Sequence, residues 1–270
     1  MSSSLHPLDL ATQLTPVAEG RYRGRITPAY ANMVGPFGGT IAAVMLNATL
    51  LDPRRLGEPV SLTVNYAGPI TDAEFEISAR VARTNRSTQH WIIELIQDGE
   101  IAVTATALLA VRREPWSDCE LPFPQVPAPE QVPVADFGRV TPWVRNYQMR
   151  PIDGVLTFNS KDVSDSSQST LWIRDEPPRP LDFVALTSIA DAFFPRIFVR
   201  RQQPAPAGTV SMTLYFHADS TRLAALGSGE ILARARGQQF RNGFFDQSAE
   251  LWSAAGELLA SSNQLVYYKA

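Results

Sequence analysis

SLTVN at Ser61–Asn65 and SMTLY at Ser211–Tyr215 are two versions of one segment, roughly 150 residues apart in a chain of 270. Further along, Asp98-Gly99-Glu100-Ile101 is answered by Ala255-Gly256-Glu257-Leu258. Each version follows an apolar stretch with helical spacing. A weak repeat of this size points to two copies of one small unit in tandem. Positions where the copies differ in polarity are then the first places to look for function.

The first copy opens with a helix. Gly38-Gly39-Thr40 leads into IAAVMLNATLL, where Ile41, Val44, Met45 and Ala48 recur at helical spacing. Strands are expected at Ser61–Tyr66, at Phe75–Val81, and at Trp91–Ile96 with Glu100–Val111. The last two are joined by Asp98-Gly99, a two-residue hairpin signal. The second copy repeats the plan. It has a helix over Pro180–Phe198, an alternating strand over Thr209–His217, a strand around Ile231–Arg236, and a pair Phe240–Trp252 and Glu257–Tyr268. Leu171–Arg174 is expected as a leading strand before the second helix. Between the copies, Pro115, Pro122, Pro124, Pro127, Pro129 and Pro133 exclude a sheet interior and suggest an extended linker. The expected division is residues 1–112, a linker over 113–145, and residues 146–270. The expected fold is α+β: two helix-on-antiparallel-sheet repeats sharing one continuous sheet, with both helices on one face, a double hotdog.

The last strands of the copies differ at one polar position. Ile101, Val103, Ala105, Ala107 and Leu109 align with Leu258, Ala260, Ser262, Gln264 and Val266, so Gln264 falls in the inward register opposite Ala107. A buried amide without partners costs roughly 2–7 kcal/mol, so Gln264 needs hydrogen bonds to backbone or to a ligand. The helices differ too. Matching Gly38-Gly39 to Leu181-Asp182 sets Asp191 against Ala48, on a face with Val184, Thr187, Ser188 and Phe194. Desolvation there would raise the carboxyl pKa unless a donor offsets it. Thr209 starts the next strand, and simple alternation puts it off the Val210, Met212, Leu214 face. Only a bulge or twist would turn it inward.

Composition narrows the alternatives. Hydrophobic residues make up 44% and charged residues 19%, with a formal net charge of -3, the balance of a soluble globular protein with no basic face for nucleic acid. The apolar runs are too short to span a bilayer, and the first residues do not read as a signal peptide. The single cysteine, Cys119, allows no intrachain disulfide, which fits the cytoplasm. His6, His90 and His217 are scattered and give no metal-binding spacing. No GxSxG elbow or GxGxxG fingerprint occurs, so neither a serine hydrolase nor a dinucleotide cofactor is indicated.

Taken in order, several pieces resemble the acyl-CoA thioesterase II family, the double-hotdog thioesterases. They are Tyr22-Arg23-Gly24, Phe37-Gly38-Gly39, Met149-Arg150-Pro151, Trp172-Ile173-Arg174, Asp191, Thr209, Phe216-His217 and Ala260-Ser261-Ser262-Asn263-Gln264. They run from about residue 21 to residue 268. The resemblance implies hydrolysis of fatty acyl-CoA without a cofactor or metal, as part of lipid metabolism. It also implies that Asp191 on the second helix, Thr209 and Gln264 hold the attacking water. Two of those three are the positions flagged by divergence between the copies. Gly38 and Gly39 are expected near the substrate as oxyanion donors, with the helix start at Asp182 as the alternative. Phe183, Leu186, Phe194 and Met212 are expected along an acyl tunnel. Arg196, Arg200 and Arg201 would bear on the choice between coenzyme A and a carrier protein. A homodimer or dimer of dimers is expected. The competing readings are a non-catalytic acyl-CoA or lipid-binding module and a hotdog hydratase or dehydratase. The latter would want a histidine near Asp191, and the stretch Asp191–Arg196 has none.

Overall fold

The computed structural model describes residues 5–113, 116–138, 141–159 and 161–269. The first half carries strands β1 (Thr15–Ala18), β2 (Arg21–Arg25), β3 (Glu58–Tyr66), β4 (Glu74–Thr84), β5 (Thr88–Gln97) and β6 (Glu100–Ala110). The second half carries β7 (Tyr147–Asp153), β8 (Ser169–Asp175), β9 (Ala207–Phe216), β10 (Ile231–Arg236), β11 (Phe240–Arg241), β12 (Phe244–Trp252) and β13 (Leu258–Tyr268). Among the described residues five α-helices accompany them: α1 (Pro7–Ala11), α2 (Gly38–Leu51), α3 (Phe183–Ile189), α4 (Arg196–Arg201) and α5 (Ser220–Ala225).

The strands form one antiparallel sheet in the order β1-β2-β4-β5-β6-β3-β9-β13-β12-β10-β8-β7, with β11 paired to β12. From the central β3–β9 junction the two halves read outward in the same sequence of counterparts. Ser61 pairs with Tyr215, Thr63 with Thr213 and Asn65 with Ser211. Equivalent residues paired antiparallel require a two-fold axis through the Thr63–Thr213 pair. Those two hydroxyls lie 3.0 Å apart. The repeat in the sequence is therefore a pseudo-two-fold in space, and the architecture is the expected double hotdog.

Helix α2 is apolar on nearly every side and is buried from Gly39 to Thr49 apart from Asn47. It lies against the sheet on one side and α3 on the other, the setting that an all-round apolar helix requires. The Asp98-Gly99 turn takes φ of 53° and 82°, the left-handed values of a type I′ hairpin.

Three differences from the sequence-based expectations have clear causes. First, the second helix does not run over Pro180–Phe198. It stops at Ile189, and the chain tightens through Asp191 N–H to Ser188 O (3.3 Å) and Ala192 N–H to Ile189 O (2.9 Å) before α4 begins at Arg196. Pro195 disfavours helical backbone at Phe194, which prevents continuation. Second, Phe240–Trp252 is not one strand. Asn242-Gly243, with φ of 53° and 76°, turns β11 back onto β12. Third, β1 and β2 precede the first helix, as β7 and β8 precede the second, where the first copy was expected to open with its helix.

The proline-rich segment packs on the back of the second half. Phe123, Val126 and Val132 cluster with Trp172, Leu232 and Trp252, and the Trp172 indole N–H donates to Pro127 O at 2.9 Å.

Candidate active site

The two central helices run antiparallel, so the N-terminus of α2 meets the C-terminal end of α3. Glycine permits this approach. A Cβ on Gly39 would stand 2.5 Å from Ser188 O, and one on Gly38 would stand 2.9 Å from Asp191 Oδ2. Gly39→Ala should therefore push the helices apart and destabilise the fold by about 1–3 kcal/mol. Thermal unfolding checks this, and an unchanged midpoint would refute the close contact.

Asp191 occupies the turn just past α3, not the helix itself. Its carboxylate reaches the first turn of α2, where it accepts from the Gly39 backbone N–H. On its other side, Gln264 Nε2 donates to Asp191 Oδ1 at 2.9 Å. Burial raises the Asp191 carboxyl to about 7, and the bonds from Gln264 and Gly39 offset part of that rise. The dipole of the 14-residue α2 favours the anion at the same place.

Gln264 faces inward on β13, with 6% of its surface exposed, as the alternation of that strand requires. Its Oε1 accepts from Thr209 Oγ1 at 3.3 Å. Thr209 reaches this position through a β-bulge. In the β9–β13 ladder Leu265 pairs with Ser211, but Val266 pairs with Thr209, so Val210 is the extra residue. The bulge reverses the alternation and turns Thr209 to the inward face. The first half has the same irregularity between Pro59 and Ser61. There the counterparts of Thr209 and Gln264 are Pro59 and Ala107, so the pseudo-symmetric position lacks the polar pair.

Asp191, Thr209 and Gln264 line one cavity of about 850 Å³, together with Gly38 and Tyr66. Tyr66 is fixed by donating from its hydroxyl to Gly38 O at 2.8 Å. Phe37, Trp143, Phe193, Phe194, Phe198, Phe245 and Val266 supply apolar walls. Phe37 and Trp143 stack with centroids 4.3 Å apart.

Other expected site residues fall elsewhere. Phe194 lines the cavity, but Phe183 does not. Phe183 is the first residue of α3, a full helix length, about 9 Å at 1.5 Å per residue, before the turn that carries Asp191, and packs edge-on against Phe216. Leu186 and Met212 are fully buried core outside the cavity lining. The helix start at Asp182 is likewise at the far end of α3, where Asp182 Oδ1 accepts from Ala185 N–H. Arg196 is wholly buried and bonds Ser167 O, Ser169 Oγ and Phe194 O, which anchors the turn that carries Asp191. Sequence reasoning missed Tyr66 and Gln247. Gln247 could have been found, since it sits among the inward residues Phe245, Ala249 and Leu251 of β12.

Among the described residues, no group of three or more His, Cys, Asp or Glu side chains could hold a metal ion, and no helix is long and apolar enough to cross a membrane.

Residues 121–268 match the family model of the acyl-CoA thioesterase C-terminal domain, and residues 27–110 match that of the N-terminal domain. A conserved hot dog fold protein of unknown function from Alicyclobacillus acidocaldarius is 44% identical over 99% of both chains, with a TM-score of 0.94. The tesB protein of Mycobacterium avium subs paratuberculosis is 18% identical over 99% of this chain and 100% of its own, with a TM-score of 0.81. An acyl-CoA thioesterase II from Mycobacterium marinum is 18% identical over 97% and 98% of the two chains, with a TM-score of 0.75. At these identities the last two show the shared fold. No curated protein matches the sequence.

Proposed function

The chain belongs to the acyl-CoA thioesterase family, and from that premise we propose that it hydrolyses acyl-CoA to free acid and coenzyme A with a water activated by Asp191. The observation that carries this reading is a buried carboxylate, raised to about 7, at the edge of a largely apolar cavity. A carboxylate with that affinity takes a proton from water more readily than an ordinary one at neutral pH.

In the proposed reaction, water sits between Asp191 and the Thr209–Gln264 pair. Hydroxyl and amide groups can donate and accept, so they orient water without ionising. Asp191 takes a proton as the water oxygen bonds to the thioester carbon. The tetrahedral intermediate then collapses with cleavage of the carbon–sulfur bond, and the proton passes to the departing thiolate. The developing oxyanion is served by backbone N–H groups in the first turn of α2, which lack intrahelical partners. Gly38 is favoured over Gly39, whose N–H already points to Asp191.

Thr209→Val should slow turnover about tenfold, the scale of one lost hydrogen bond to an already placed water, while leaving the fold intact. Steady-state thiol release checks this, and a wild-type rate would remove Thr209 from the site.

The test of the function is thiol release from a series running from acetyl-CoA to stearoyl-CoA. The expected result is release that depends on chain length, because the apolar walls are finite. No release from any member would favour the binding-module reading. The hydratase reading lacks its base, since no histidine lines the cavity among the described residues.

A further inference from the structure

Gln247 is a polar residue of the cavity that the proposed hydrolysis leaves unused. It is 4% exposed and faces inward on β12, between Phe245 and Ala249, which are 1% exposed. Its side chain lines the cavity, and its amide is not among the polar groups that the fold closes off from solvent. A ligand that fills the cavity strips that amide of water, a cost recovered only where the ligand offers it a hydrogen bond.

Its position indicates where on the ligand such a bond would fall. Gln247 pairs directly with Gln264 across the β12–β13 ladder. The two side chains leave the same face of the sheet with Cβ atoms about 5 Å apart. Gln264 in turn bonds Asp191. A group that bonds Gln247 therefore lies only a few atoms from the carbon under attack. Beyond this polar pair the same strands present Phe245 and Val266, which pack against Phe198 of α4. An acyl chain directed from Asp191 toward those rings passes the Gln247 amide. A plain hydrocarbon would desolvate the amide and give nothing back. An oxygen near the thioester would satisfy it, and an amide serves a hydroxyl or an oxo group equally because it donates and accepts.

We propose that Gln247 makes this site selective for acyl thioesters bearing a hydroxyl or oxo group near the thioester, in preference to unsubstituted chains of equal length. The inference rests on the thioesterase reading for its reaction but not for its binding step.

The test separates the two. Binding is measured with non-hydrolysable coenzyme A thioethers, octyl and β-hydroxyoctyl, and hydrolysis with octanoyl-CoA and β-hydroxyoctanoyl-CoA. Each is run with wild type and with Gln247→Met, which keeps the length of the side chain and removes the amide. The wild type should favour the hydroxylated member about tenfold or more in Kd and in kcat/KM. In Gln247→Met the preference should fall to about one, with an essentially unchanged unfolding temperature because the amide faces the cavity and not the packed core. A Kd preference without thiol release would sink the thioesterase reading and leave this one standing. Thiol release with no preference in the wild type, or a preference that survives in Gln247→Met, would overturn the role of Gln247. So would a lower unfolding temperature in Gln247→Met together with unchanged selectivity, which marks a structural amide. Failure of the wild type to bind either thioether would overturn it as well.

Discussion

Asp191→Asn should release thiol from acyl-CoA on the order of 10²–10⁴-fold more slowly than wild type, and it should be harder to unfold above neutral pH. Both effects come from the same burial. Asparagine keeps an acceptor for Gln264 but cannot take a proton from water. Its effect on stability follows from the raised carboxyl, from 3.8 to about 7. Between those values the folded protein holds a proton that the unfolded chain has already released. The contribution of Asp191 to stability is therefore full below the unfolded value and is lost as pH climbs to about 7. Above that, the wild type bears the whole cost of a buried carboxylate, on the order of 4 kcal/mol for a shift of this size. Asparagine removes that cost, so the variant should gain on the wild type as pH rises. Asp175, raised to about 7 by its own burial, adds a second window of the same sign that Asp191→Asn leaves untouched. Denaturant unfolding of both proteins in acidic and alkaline buffer, beside thiol release, reads both effects. A folded Asp191→Asn with wild-type turnover would end the assignment.

Gln264→Leu should lower turnover on the order of 10²–10³-fold and move the pH dependence of what remains upward. Gln264 donates to Asp191 Oδ1 and accepts from Thr209, so leucine removes a group that favours the carboxylate and an anchor for the water at once. Without that donor the burial of Asp191 is less well offset, and its affinity for a proton rises further. The fall in rate alone could reflect many kinds of damage, but the upward shift in pH midpoint is specific to the lost bond. A Gln264→Leu profile with the wild-type midpoint would separate Gln264 from Asp191 in function, whatever its rate.

Much of this was legible in the chain because a duplication lets a sequence be read against itself. The Ala107–Gln264 contrast survives in the ladder, where both face inward from equivalent strands. Asp191 was found by its contrast with Ala48, though the helix thought to carry it ends first. Helical spacing continues in the sequence after Ile189, and only the constraint of Pro195 on its predecessor hints at the break. Thr209 was hidden by its bulge. Period-2 alternation places it outside, and one extra residue reverses the face of everything before it. The leading strands β1 and β2 were missed although Leu171–Arg174 was expected before the second helix; carrying the duplication one step further back would have found them. Phe183 was misplaced because spacing gives the face of a helix but not which end of it meets the cavity. Tyr66 ends β3 on an otherwise ordinary pattern, and its bond to Gly38 O depends on a fold that no local signal describes.

In the proposed reaction the base is a desolvated carboxylate. The most direct test is the pH dependence of kcat/KM for thiol release by the wild type, from mildly acidic to mildly alkaline buffer, corrected for spontaneous hydrolysis. Activity should rise with pH to a plateau, with its midpoint near 7. A flat profile across that range, as a carboxylate of ordinary affinity would give, would exclude Asp191 as the base.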